Sequence, residues 1–355
     1  MKKNILFICL IISFTSISSF SQVNKTLLDS LTIAIEHGAY PNIDGIVVSQ
    51  KGKLIYEKYF NGLTQSSLHD TRSSFKSITG LLVGIAIDKG YIKSVNEKVY
   101  SFFPEYKDFK NWDSRKDGMT VQHLLAMKSG FDCEEWDGAK DCEDEMAETK
   151  DWVKFSLDLP MSHPSGTHWA YTSCNTMILG GIVANASKMS ILAFADKFLF
   201  QPLGIKNYRW TKDPSGHGMT AGSFYILPSD MAKIGELVLN KGMYKGKRIV
   251  SEKWIKEATQ PITKIENFSN VSISKAKSAI PQPTFYGYTW YNEEIRTDKI
   301  RHNVIFASGN GGQYIMVIPD LALVVAFTGN SYNSSKSKLP FAILIKYILP
   351  YFEGG

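Results

Sequence analysis

Apolar residues follow Ser73 at helical spacing, at Ile78, Leu81, Leu82, Ile85 and Ala86, and the run stops at Gly90, where a left-handed cap is expected. This predicts an apolar helix with Ser73 in its first turn. Upstream, Leu27, Leu28, Leu31, Ile33 and Ile35 predict a helix over 26–37. Two β-patterned runs, 45–49 and 54–59, flank the turn Gln50-Lys51-Gly52-Lys53 and predict an antiparallel hairpin. From Ser73 to about Phe200 the period is helical. Thr120 caps a short helix that Ser129-Gly130 closes, and more helices are predicted over 151–157, 175–186 and 190–200. Another covers 228–240. The stretch 262–283 is rich in Ser, Lys, Asn and Pro and reads as a long surface loop. Strand patterns return at 285–291, 304–307, 314–318 and 323–328, before an apolar helix over 338–349.

Strands at both ends with helices between them imply an α/β (α+β) fold. Residues 22–70 and 211–355 are expected to form a discontinuous sheet domain, 71–210 an inserted, mainly helical domain, and the active site to lie between the two.

The N-terminus changes the cellular picture. Lys2 and Lys3, the apolar run from Ile5 to Phe14 and the small and polar residues before Gln22 have the layout of a secretory signal peptide over 1–21. The expected product is exported, periplasmic or secreted, with no integral membrane span after cleavage; a retained anchor is the alternative. Without Lys2 and Lys3 the chain has 38 basic and 34 acidic residues, a formal charge of +4 that implies no particular partner. No Lys/Arg cluster interleaved with aromatics supports nucleic-acid binding. Cys133 and Cys142 lie nine apart in an acidic loop, and export makes a disulfide between them a reasonable expectation, with free loop thiols as the alternative. The seven histidines show no HExxH, so no metal site is indicated.

Three stretches carry candidate chemistry. Ser73 and Lys76 stand three apart on the predicted helix, so the amine can lie beside the hydroxyl and accept its proton. The same S-x-x-K spacing begins at Ser272, Ser274 and Ser335, but there in polar stretches that read as solvated surface. The turn 164–173 delivers Tyr171 and Ser173 just before an apolar run; Tyr171 is either a packed aromatic or, beside a cation, a proton relay. The third is Ala307-Ser308-Gly309-Asn310-Gly311-Gly312, which brings a strand edge with few side chains close to a substrate or simply forms a glycine-rich hairpin. It lacks the Lys-Ser/Thr of a phosphate loop.

These pieces, in this order, resemble the serine β-lactamase and penicillin-binding superfamily, in particular its class C β-lactamase-like hydrolases and the branch with 6-aminohexanoate-dimer hydrolases. The resemblance also takes in Val121 to Gly130, Leu203-Gly204-Ile205 and Gly311 to Pro319. It implies Ser73 as nucleophile, Lys76 and Tyr171 as base and proton relay, and Ser173 where many members have Asn. Asn310 and Gly309 would serve the oxyanion and the substrate. Ala307-Ser308-Gly309 holds the place of a Lys-Thr-Gly element, and the missing Lys favours esters or linear amides over lactams. The implied reaction is two-step acyl transfer with no metal or organic cofactor, in which burial would depress the Lys76 pKa. The alternatives are a β-lactamase or D-alanyl-D-alanine carboxypeptidase, and a non-catalytic binding relative.

Overall fold

A computed structural model describes residues 15–136 and 141–353, with side chains from Thr26 onward. Of the segment expected to be a signal peptide, residues 1–14 lie outside this description, and the backbone from Thr15 belongs to helix α1 (Thr15–Glu36). The hairpin is present as β1 (Ile43–Gln50) and β2 (Lys53–Tyr59). It joins six strands from the other end of the chain: β3 (Thr263–Lys264), β4 (Thr284–Tyr286), β5 (Tyr291–Arg296), β6 (Arg301–Gly309), β7 (Gln313–Ile318) and β8 (Leu323–Gly329). All pair antiparallel in the order β2-β1-β8-β7-β6-β5-β4-β3.

The middle strands β1, β8 and β7 are buried on both faces, which is why their sequences run apolar rather than alternating. On one face Ile46, Val48 and Val325 form a core with Leu31 and Ile35 of α1 and with Phe341, Leu344 and Ile348 from the C-terminal helical run 339–353. On the other, Val47, Ile315 and Val324 join a second core with Ile234 and Val238. Those two residues lie on a helix over Pro228–Leu239, whose Gly235 lets it sit on the sheet: a Cβ there would lie 2.4 Å from Val324 Cγ1.

Two expectations change. The single strand over 285–291 is broken: Gly287 to Trp290 turn the chain, with Thr289 at φ 63°, and β4 and β5 pair with each other instead. Gly287 allows this because a side chain there would strike the carbonyls of Ala258 and Gln260 at 2.5 Å. The loop over 262–283 is also more ordered than its composition suggests. It contains β3 and a short helix, Asn270–Ser274, gathered around the buried Glu293. That carboxylate accepts hydrogen bonds from the Ser269 and Thr284 hydroxyls and from the Asn270 and Val271 backbone amides, at 2.6–2.9 Å. Polar residues that looked solvated are there to satisfy one buried charge.

Helix α2 (Phe75–Asp88) is the centre of the helical layer. Every residue from Phe75 to Ala86 is buried, so no face of it meets water. Gly80 and Gly84, one turn apart, open a groove on one side. Thr289 fills it at Gly80, and the Trp254 ring fills it at Gly84, where an added Cβ would lie 2.2 Å from the indole. Trp254 Nε1 donates to Gly80 O at 3.1 Å. The Ser77 hydroxyl donates to Thr289 O at 2.5 Å, fastening the helix to the turn between β4 and β5.

Candidate active site

Ser73 lies in a single 3-10 turn, Arg72–Ser74, that leads straight into α2. The residue before it, Arg72, has φ 48°, a left-handed conformation costing a non-glycine residue about 1–3 kcal/mol. Its surroundings hold it there. Arg72 N donates to Asp70 Oδ1 at 2.9 Å, and its guanidinium lies 4.7 Å from the centre of the Tyr332 ring. Thr71 is tied to Phe224 O through both its amide and its hydroxyl. The end of β6 closes on this turn: a Cβ on Gly309 would lie 2.5 Å from Thr71 O and 3.1 Å from Arg72 Cβ. Gly309 thus lets the strand edge lie against the backbone that presents Ser73.

Lys76, the second residue of α2, is 1% exposed. Its Nζ donates to Ser73 Oγ at 2.9 Å and to Ala221 O at 3.1 Å, and lies 4.9 Å from the centre of the Tyr171 ring. Burial pushes the Lys76 pKa down, but the attraction of Tyr171, Glu143 and Glu135, with a hydrogen bond to Tyr171, outweighs it and holds the amine above the ordinary lysine value. The expected depression of Lys76 is therefore reversed, because burial came together with acidic neighbours. At neutral pH the side chain rests as an ammonium pointing at the Ser73 hydroxyl.

Tyr171 is buried, two residues before α6 (Ser173–Ser187), with its side chain in hydrogen-bonding reach of Lys76 and Tyr291. Ser73, Lys76 and Tyr171 thus meet at one point. Ser173 does not point at Ser73 Oγ: its hydroxyl donates toward carboxylates, lying 2.8 Å from Glu135 Oε2 and in contact with Glu143 Oε2, while its amide donates to Glu135 at 2.8 Å. Asn310 follows β6 with its side chain turned to Asn333 at 2.7 Å, so only its backbone remains to serve an oxyanion. Cys133 and Cys142 form a disulfide with Cα atoms 6.1 Å apart, and Cys174 is a buried free thiol. The bridge folds the acidic loop back over the head of α6.

A cleft of about 520 Å³ opens above Ser73. Glu135, Asp141, Glu143 and Asp144 line it together with Arg72 and Lys338, and Trp136, Phe268, Tyr291 and Tyr332 supply apolar surface. Tyr286 and Trp290 are core residues, and neither they nor Tyr225 line the cleft. The acidic residues went unread in the sequence. Helix first turns attract carboxylates, but nothing local says which acid of a distant loop will reach the head of α6. Among the described residues, two clusters have metal-ligand spacing, Cys133 with Glu135 and Cys174, and Asp151 with Asp213 and His217. Both are engaged otherwise: Cys133 is disulfide-bonded, and Asp213 accepts from Trp152 N and from His217.

The chain is 26% identical over 230 residues to a 6-aminohexanoate-dimer hydrolase of Paenarthrobacter ureafaciens, covering 60% of this chain and 56% of that protein. It is 25% identical over 218 residues to a Beta-lactamase of Escherichia coli (strain K12), covering 58% and 54%. The matches thus span about half the length of these two relatives. Among solved structures, an octameric penicillin-binding protein homologue from Pyrococcus abyssi superposes with a TM-score of 0.70 at 19% identity, over 92% of this chain and 77% of the other. A penicillin binding protein from Bacillus halodurans gives 0.63 at 13% identity, over 89% and 97%, so the fold is shared where sequence has diverged. The family model described as Beta-lactamase matches residues 37–346, which span both sheet ends and the helices between them, and the chain belongs to that family.

Proposed function

We propose that this chain is an exported serine hydrolase that cleaves carboxylic esters or linear amides through an acyl-enzyme. The observation that carries the reading is Lys76 Nζ at 2.9 Å from Ser73 Oγ, buried behind Ser73 and Tyr171, which line an open cleft. Once the Lys76–Tyr171 pair has released a proton to solvent, Ser73 Oγ attacks the substrate carbonyl and yields its own proton to that pair, which acts as one unit because the two groups share a hydrogen bond. The oxyanion is held by the backbone amides of Ser73 and Asn310. The leaving group takes the proton, and water attacks the acyl-enzyme through the same relay.

Ester or linear amide substrates are preferred in this reading because Ala307, Ser308 and Gly309 bring no cation to the strand edge. One feature favours the second reading, a β-lactamase or D-alanyl-D-alanine carboxypeptidase: Lys338 lines the cleft from another element and can meet a substrate carboxylate. Purified protein assayed on a short-chain p-nitrophenyl ester beside a chromogenic cephalosporin separates them. Ester turnover well above cephalosporin turnover is expected. The reverse preference, lost on Lys338→Met, would replace this reading with the second. Export is checked by the N-terminus of protein recovered outside the cytoplasm, expected near Gln22.

A further inference from the structure

We propose that Glu135 and Glu143, bridged by the Ser173 hydroxyl, hold one proton between them and act as positioning residues that set the charge state of the Lys76–Tyr171 pair. The number of protons available decides this. Ser173 Oγ contacts Glu135 Oε2 at 2.8 Å and also Glu143 Oε2, yet a hydroxyl has one hydrogen and can donate to only one of them. The other contact joins two oxygens and is favourable only when that carboxyl is protonated and donates to Ser173 Oγ. Glu135 Oε1 already accepts from Ser173 N at 2.8 Å and from the Thr172 hydroxyl at 3.1 Å. The cluster is thus built for one negative charge over two carboxyls.

Burial pushes the Glu135 carboxyl up, the Lys76 charge pulls it down, Glu143 raises it again and the Ser173 bonds lower it, with a net result of about 7. The groups facing this cluster are few. Lys76 faces it from α2, Tyr171 and the Cys174 thiol from the head of α6, and Asp70 from the strand before Ser73. On its own short helix, Cys142–Ala147, stand Asp144 and Glu145, with Asp141 as the cap. Tyr286 and Tyr291 interact with Tyr171 from the sheet. Glu134 accepts from the Tyr171 amide, and Arg72, paired with Asp70, and Lys338 line the same cleft, so that among the described groups facing the cluster Lys76 is the buried cation.

The consequence follows from the sign of the charges. With one proton retained, Lys76 faces a single net negative charge; when the proton leaves, it faces two. The second charge tightens the hold on the proton that the Lys76–Tyr171 pair must release, so it opposes activation of Ser73. This proposal rests on Ser73 being the nucleophile, and the test keeps the two claims apart. A fluorophosphonate probe forms an Oγ–P bond and expels fluoride, and the Ser73 proton passes to the relay, so the labelling rate reads activation without a chosen substrate.

The labelling rate is measured between about pH 5 and pH 10 for the wild type, Glu143→Gln and Ser73→Ala. The amide introduced by Glu143→Gln keeps the contact with Ser173 but fixes the cluster at one negative charge. The activating midpoint of this variant is expected about one pH unit below that of the wild type. In infrared difference spectra of wild type against variant near pH 6, a protonated-carboxyl band is expected. If Glu143→Gln folds poorly by circular dichroism, Glu143→Ala makes the same prediction. A midpoint unmoved in the folded variant, or no carboxyl band, overturns the proposal; a merely structural role would lower stability and leave the midpoint in place. Labelling that survives Ser73→Ala, or a wild type that is not labelled, overturns the nucleophile assignment instead.

Discussion

Ser73→Ala is expected to lower ester turnover by about ten-thousand-fold, to the residual level that binding and oxyanion contacts sustain alone. Lys76→Met should come within roughly tenfold of that loss, because the hydroxyl attacks only if a neighbour takes its proton. Combining the two should cost little more than Ser73→Ala alone, since groups that act on one step are not additive. Lys76 is 1% exposed, and Met approximates its volume without its charge. Removing it leaves Ala221 O and the Glu135 carboxylate without their cation, so some stability is lost, but far less than the rate. Steady-state kinetics with circular dichroism as the folding control checks this. Residual activity above about 1% in Ser73→Ala would sink the nucleophile assignment, and a mild Lys76→Met phenotype would shift the base to Tyr171.

The second large effect is on stability. Trp254→Ala is expected to cost about 3–5 kcal/mol, as large-to-small aromatic substitutions in cores do. The ring is 3% exposed, fills the groove at Gly84 and donates its indole hydrogen to Gly80 O, so its removal leaves a cavity and takes a second hydrogen bond from a carbonyl of the helix that carries Lys76. In a chain of this size that corresponds to a fall in Tm of roughly 4–7 °C. Gly84→Ala alone should cost about 1–3 kcal/mol, because its methyl would lie 2.2 Å from the indole and the ring must move. In the Trp254→Ala background the same methyl enters vacated space and should cost much less, a coupling that a double-mutant cycle measures. Additive costs would mean that the two residues do not share the groove.

Much of the fold was legible because its signals are local. The hairpin 43–59, the helix after Ser73, the Thr120-capped turn and the strands from 301 to 329 repeat their patterns every two or every three to four residues. Ser73 and Lys76 could be paired on paper because one helical turn joins them. Tyr171 needed the resemblance, since nothing in the turn 164–173 points it at a lysine about a hundred positions away.

The misreadings have one cause. The strand over 285–291 breaks where Gly287 must pass between two carbonyls, and the loop over 262–283 gathers around Glu293, which lies beyond it in the chain. The direction of the Lys76 shift reversed because Tyr171, Glu143 and Glu135 together outweigh burial, the two acids being held near the amine by a disulfide-closed loop. The periodic elements, their order and the nucleophile–amine pair could all be read along the chain, since neighbours within one turn or one pleat set them. Which charges face that pair was settled by packing alone. Electrostatic interactions in a buried site depend on distances of a few ångströms between groups remote in sequence, and no local pattern encodes those distances.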